Sequence, residues 1–215
     1  MDRFKKRPIL GGFLMILAIF FGYLLLWPVP FDPVAGPPRA ANPAGTGVFV
    51  KNNILAAARL VPTGHGPEGT AFDAQGRLFT GLEDGRILRV NVADASTVEL
   101  ANTGGRPLGM DFDAAGNLII ADAIQGLISM APDGKLTTLA TDFEGKRMKF
   151  VDDLAIAKDG MIYFSDASQR HDIGSDIQEL FERRPSGRLI SYNPANGELK
   201  LLLDEIRTRL KYLCD

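Results

Sequence analysis

An all-β chain of propeller blades behind an apolar N-terminal helix is predicted by the sequence, and three observations carry the prediction. One eleven-residue pattern occurs three times, at residues 71–81, 111–121 and 155–165. Each copy is an apolar strand, a tight turn and a second apolar strand, with Gly76, Gly116 or Gly160 where the turn requires positive φ. The copies start 40 and then 44 residues apart, and a period of that length marks propeller blades and similar arrays.

Each copy continues alike. A third strand is expected at 86–90, 126–130 and 188–192, and a fourth at 97–101, 136–140 and 199–203. Between them stand Glu83-Asp84-Gly85, Pro132-Asp133-Gly134 and Asn193-Pro194-Ala195-Asn196-Gly197, all turn-forming. Four strands per repeat, with no helix inside the first two, make a blade. The three blades cover about 66–103, 105–142 and 149–205.

The chain opens with a basic segment, 1–8, in which Arg3, Lys5, Lys6 and Arg7 face one acid, Asp2. Residues 9–27 then run without a charge. At 1.5 Å per residue that run matches a bilayer core of about 30 Å. It exceeds the apolar region of a cleavable signal peptide, and no small-x-small site follows, so an uncleaved transmembrane helix is expected. The basic flank keeps the N-terminus cytoplasmic and sends the rest of the chain across. Residues 28–47 form a stiff linker with Pro33, Pro37, Pro38 and Pro43. The apolar stretch 48–61 is expected to dock as a strand or a short helix, and the pattern favours neither.

The third repeat carries an insert between Ser165 and Gly187. Ile173, Ile177, Leu180 and Phe181 recur there at helical spacing, and Ser175 with Gln178 fits a capping box. A short amphipathic helix over one end of the propeller is expected, either shaping a binding mouth or packing on the rim. Beyond residue 7 there are 20 basic and 25 acidic residues, a balance that argues against nucleic acid as a partner. Cys214 is the lone cysteine, so no intramolecular disulfide forms.

In a propeller the first strand of each blade lines the central channel. Glu68 opens the first blade, and Asp152 and Asp153 open the third, so the repeat points these acids toward one axis. Converging carboxylates suit a hard cation such as calcium, which takes six to eight oxygens. The competing reading is that Glu68 and Asp153 merely accept hydrogen bonds from turn amides. Asp122 and Asp166 occupy equivalent places in two repeats, which favours a structural duty such as tying one blade to the next. His65 and His171 belong to no repeated pattern, and no Ser-His-Asp or Cys-His arrangement can be assembled.

Several motifs together resemble the strictosidine synthase-like, gluconolactonase-type propeller family. They are Gly66-Pro67-Glu68, Thr80-Gly81-Leu82-Glu83-Asp84-Gly85-Arg86, Gly105-Arg106-Pro107-Leu108-Gly109, Phe150-Val151-Asp152-Asp153-Leu154 and Ile162-Tyr163-Phe164-Ser165-Asp166. Anchor, proline-rich spacer and the insert before Gly187-Arg188-Leu189 follow in the same order, and the resemblance spans about 48–205. It implies a six-bladed ring of the superfamily that includes gluconolactonases, regucalcin and paraoxonases. Members on the hydrolase side use a channel metal, commonly calcium, on a lactone or ester carbonyl. Glu68 matches the family's first-blade metal-binding glutamate. Asp152 stands where the family pattern has an asparagine that ligates metal or substrate, and Asp153 beside it is assigned to substrate. Leu108 falls where paraoxonases have a proton-transferring histidine, so that variant is unsupported. The family's other metal ligands come from later blades.

After Glu205 the resemblance implies another blade, whereas residues 206–215 show no repeat. The chain therefore reads as an incomplete six-bladed β-propeller, a truncated or frame-shifted product. Three blades leave two outer faces open, and self-association through their edges is expected. The leading functional expectation is a single-pass membrane protein with an extracytoplasmic propeller of calcium-dependent ester or lactone hydrolase lineage. A non-catalytic propeller that binds a protein or ligand is the alternative, and strictosidine synthase-type condensation comes third.

Overall fold

The computed structural model describes residues 6–26, 33 and 50–206, with side chains from residue 11 onward and that of residue 176 left out. The chain divides into two compact units, Met1–Asp32 and Pro33–Asp215. The N-terminal residues 1–5, nearly all of the 28–47 linker and the 207–215 tail lie outside the described residues.

The first unit holds one helix, α1 (Lys6–Leu26), of 21 residues. Its described side chains, including Phe13, Leu14, Ile16, Phe20 and Leu24, are exposed around the helix. Among the described residues no helix is long and apolar enough to cross a membrane. The expected transmembrane helix over 9–27 is therefore not supported by the structure.

The second unit is all-β apart from short helical turns. Three four-stranded antiparallel sheets follow one another, each with its strands in chain order. The first sheet comprises β1 (Thr70–Phe72), β2 (Leu78–Gly81), β3 (Arg86–Val90) and β4 (Thr97–Asn102). The second comprises β5 (Pro107–Phe112), β6 (Leu118–Asp122), β7 (Gly126–Met130) and β8 (Leu136–Ala140). A small hairpin, β9 (Asp142–Phe143) with β10 (Lys146–Arg147), leads to the third. That sheet comprises β11 (Val151–Ile156), β12 (Ile162–Asp166), β13 (Gly187–Asn193) and β14 (Glu198–Ile206). The first strands neighbour one another, with β5 beside both β1 and β11. This is a propeller-like arrangement, with the first strand of each blade innermost.

The repeated glycines act as the sequence predicts. Gly76, Gly116 and Gly160 have φ of +72°, +84° and +87°, and each amide closes the turn onto the carbonyl three residues earlier. Two cores hold the blades together, and the period-two alternation of β6 and β7 explains both. Leu118, Ile120, Ile128 and Met130 face the first blade, where they meet Ala71, Phe79 and Ile87. Ile119, Ala121 and Leu127 face the third, where they meet Val151, Ile162, Phe164 and Ile190. The middle blade is thus buried on both sides, which is why its strands read as continuous apolar runs.

Two expectations fail locally. Of the stretch 48–61, the described residues 50–61 form no strand and no regular helix: Ile54–Ala57 makes one short 3₁₀ turn, and Ile54, Leu55 and Leu60 stay exposed. The side chain of Arg59 nonetheless reaches the Val92 and Ala93 carbonyls at 2.5 and 3.0 Å. In the insert, helix α2 (Asp176–Glu182) forms, but its polar face is the buried one. Glu179 and Glu182 are 4% and 1% exposed, whereas Ile177, Leu180 and Phe181 are 61–72% exposed. Partners explain the inversion, since a buried carboxylate is tolerated when it is hydrogen-bonded. Ser168 and Ser186 hydroxyls each donate to Glu179 at 2.7 Å, and Arg170 donates to Glu182 at 3.0 Å with His171 Nε2 3.3 Å away. Ser175 is the N-cap but makes no side-chain capping hydrogen bond, so the expected capping box does not form.

Candidate functional site

Antiparallel pairing decides which residues share an end of the blades. Pro107 lies opposite Asp122 and Val151 opposite Asp166, and the Glu68 amide meets the Gly81 carbonyl. Glu68, Leu108 and Asp152 are thus equivalent positions where the inner strands begin. Gly69, Gly109 and Asp153 follow them in the same equivalence. The loops after β2, β6 and β12 leave from this same end, so the α2 insert springs from beside Asp152.

Both complete inner strands are irregular at these positions. The ladder skips one residue between Pro107 and Met110, and again between Val151 and Leu154. Leu108–Gly109 and Asp152–Asp153 therefore form β-bulges, which re-aim side chains and recur beside functional sites. The bulged strands also approach one another unusually closely. A Cβ added to Gly69 would lie 1.6 Å from the Leu108 carbonyl oxygen, and one added to Gly109 would lie 2.4 Å from Asp153 Oδ1. Glycine at both positions lets three inner strands converge on the axis, and it brings the Asp153 carboxylate against the neighbouring strand.

The acids differ in electrostatic condition. Burial, and then the charge of Asp153, push the Asp152 carboxyl up to about 6. Asp153 is exposed, and its Oδ1 accepts a hydrogen bond from the Leu154 amide at 2.9 Å. Glu68 is held across the blade boundary by Arg106, whose Nη2 lies 2.9 Å from Glu68 Oε2 and whose Nη1 donates to the Gly66 carbonyl at 2.6 Å. Arg106 was legible only as part of the Gly105-Arg106-Pro107 motif; its pairing with an acid 38 residues earlier had no local signal.

Oxygen donors of this kind fit calcium in chemistry but not in number. Among the described residues no group of three or more His, Cys, Asp or Glu side chains converges as a metal site. Glu68 also already has a cation beside it. Asp153 accepts a hydrogen bond from the adjacent Leu154 amide, as the turn-amide reading expects, while Glu68 pairs with the Arg106 guanidinium.

Asp122 and Asp166 join the blades to the segments that enter them. Asp122 is fully buried and accepts from the Arg106, Ile124 and Gln125 amides and from the Thr103 hydroxyl. Thr103 lies just beyond β4 of the preceding blade, so this carboxylate ties one blade to the next. Asp166, equally buried, accepts from the Phe150 amide at 3.0 Å and from Arg188 Nη2 at 2.5 Å. Burial pushes its carboxyl up, against the pull of Arg188 and the Phe150 amide. The guanidinium of Arg188 also sits 5.5 Å from the Phe143 ring centroid. Of the two histidines, His65 contacts Glu83 at the surface and His171 belongs to the insert cluster.

The comparisons with known proteins agree with this architecture. The strictosidine synthase-like N-terminal family model matches residues 47–90, and the strictosidine synthase model matches residues 152–209. Strictosidine synthase-like 7 of Arabidopsis thaliana is 36% identical over 186 residues, covering 82% of this chain and 50% of that protein. Adipocyte plasma membrane-associated protein of Bos taurus is 31% identical over 228 residues, covering 95% of this chain and 54% of that protein. A gluconolactonase from Xanthomonas campestris superposes with a TM-score of 0.54 at 22% identity, over 67% of this chain and 49% of that one, a likeness of fold. The chain spans about half the length of the curated relatives it matches. With its blades, its bulged inner strands and these relatives in agreement, the chain belongs to the strictosidine synthase-like family.

Proposed function

We propose that this chain supplies the acidic edge of a channel-end site for hydrolysis of a small ester or lactone, with Glu68 and Asp152 as cation ligands and Asp153 oriented toward substrate. The observation that carries the reading is the Asp152–Asp153 pair: two adjacent carboxyls in a bulge, one pushed up to about 6 by burial and by the other's charge. A cation beside them would relieve that repulsion. Calcium, the cation the donor chemistry suits, would supply Lewis-acid polarisation of a carbonyl oxygen. Its remaining ligands would come from beyond the described residues. Glu68 would hold its place through Arg106, and Gly109 would let Asp153 lean over the neighbouring strand.

The second reading is a non-catalytic propeller that binds a ligand at the same end. The Arg106–Glu68 pair favours it, because a carboxylate already neutralised by a guanidinium is a poorer metal ligand. Condensation chemistry has only the family name behind it, and fold does not carry chemistry.

Residues 9–27 are further proposed as an uncleaved membrane anchor with a cytoplasmic N-terminus. The charge-free run in the sequence and the exposed apolar side chains of α1 support this, as does the membrane association stated in the name of the bovine relative.

The deciding experiment is aryl ester and lactone hydrolysis across a calcium titration, in a full-length relative carrying these residues. Glu68→Gln and Asp152→Asn are expected to abolish calcium-dependent turnover while circular dichroism stays unchanged. Turnover that survives both substitutions would leave the non-catalytic reading.

A further inference from the structure

The opposite end of the blades, where the strand 1–2 hairpins turn, carries a cleft that the proposed hydrolytic site does not use. It opens between the first and second blades, with a volume of about 440 Å³, inside the range of small-molecule sites. Phe79, Phe112, Leu118 and Met130 line its apolar wall, and the rings of Phe79 and Phe112 meet edge to face at 4.9 Å.

Four charged side chains reach this cleft, and three are committed. Asp73 accepts from the Gln75 and Arg77 amides and pairs with Arg77 Nε at 2.5 Å, which occupies both members of that pair. Asp113 turns its oxygens onto its own hairpin, accepting from the Ala115 and Asn117 amides and from Asn117 Nδ2. Arg89 is the fourth, and its guanidinium has no partner among the described residues.

Repeat equivalence singles out the same residue. In the ladders, Arg89 lies opposite Phe79, Ser129 opposite Ile119 and Ser191 opposite Tyr163. Blades two and three thus carry a small hydroxyl where blade one carries an arginine. What the three blades share serves the fold; this departure places an unpaired cation beside an aromatic wall. Arg89 also borders an adjoining hollow lined by Val92, Ser96 and Val98.

We propose that this cleft binds an organic carboxylate, with the carboxyl group on Arg89 and the apolar or aromatic body against Phe79, Phe112 and Met130. A guanidinium pairs a carboxylate through charge-assisted, often bidentate hydrogen bonds.

The test uses the full chain in lipid nanodiscs, with 3-phenylpropionate as the probe and calorimetry as the readout. Saturable one-site binding is expected, with 3-phenylpropionamide weaker by about tenfold or more. Arg89→Gln is expected to bring the acid down to the level of the amide, and Arg89→Lys to retain part of the difference. Asp152→Asn, at the other end of the blade, should leave binding unchanged, so failure here and failure of the hydrolytic site are separate results. Equal binding of acid and amide, preference for 3-phenylpropylamine, or no saturable binding by the unaltered chain would each overturn the proposal. The acid–amide comparison needs no variant, so it decides even if Arg89→Gln fails to fold.

Discussion

Asp152 is the residue at which burial and function pull apart. Its carboxyl is raised from about 3.8 to about 6 by desolvation and by Asp153, so the folded state holds its proton more tightly than the unfolded chain. Between those two values the native state binds more protons, and stability falls as pH rises. Two units correspond to about 3 kcal/mol at most, and partial solvent access reduces this to about 1–2 kcal/mol. Asp152→Asn should therefore raise the urea midpoint at pH 7 and flatten the decline between pH 4 and 6. A lower midpoint at pH 7 would mean that the ionised carboxylate has a favourable partner. Asp166 contrasts with it: its buried carboxylate has Arg188 opposite, and losing either partner would strand a buried charge.

Among the elements, the inner strands carry the tightest constraint. A side chain at Gly69 has no room, because the Leu108 carbonyl occupies the place of its Cβ. Gly69→Ala should force β1 and β5 apart and cost about 3 kcal/mol or more in chemical unfolding. Gly116→Ala serves as the control, since its Cβ would meet nothing and only its positive φ resists, at about 1–2 kcal/mol. Equal costs would show that the close approach of the strands is not what glycine serves here. Helix α1 makes its own prediction. Read as an anchor, residues 9–27 should hold the protein in the membrane fraction through a carbonate wash, and a soluble mature form starting near Ala35 would show cleavage instead. Helix α2 shows that an amphipathic pattern identifies a helix without saying which face turns inward.

At the scale of the molecule, stability comes mainly from blade against blade. The middle blade buries both faces in the two cores, while Val98, Leu202 and Leu203 on the flanking blades stay exposed. Apolar burial contributes roughly 25 cal/mol per Å². An outer face that found no neighbouring blade would forgo part of that contribution, a serious loss against the roughly 5–15 kcal/mol stability of a typical domain. Expressed without further blades, residues 48–215 should self-associate through these faces or aggregate, and should not hydrolyse esters as a monomer. Size-exclusion chromatography with light scattering tests this, and a stable, active monomer would contradict it.

What the sequence determined by itself was the repeat and everything local to it. Gly76, Gly116 and Gly160 mark turns because only positive φ closes them. The strand alternation marks blades because period two sends neighbouring side chains to opposite faces. Glu68 and Asp152 fall at equivalent positions because the repeat aligns them. Tertiary structure alone decided what those side chains meet. Arg106 reaches Glu68 from the next blade, Asp153 leans on Gly109, α2 turns its glutamates inward, and Arg89 is left facing a cleft between two blades. Each of these depends on the packing of segments twenty or more residues apart, or on a hydrogen bond outweighing an apolar pattern. Neither leaves a trace in local spacing, because the energy lies in the partner rather than in the residue.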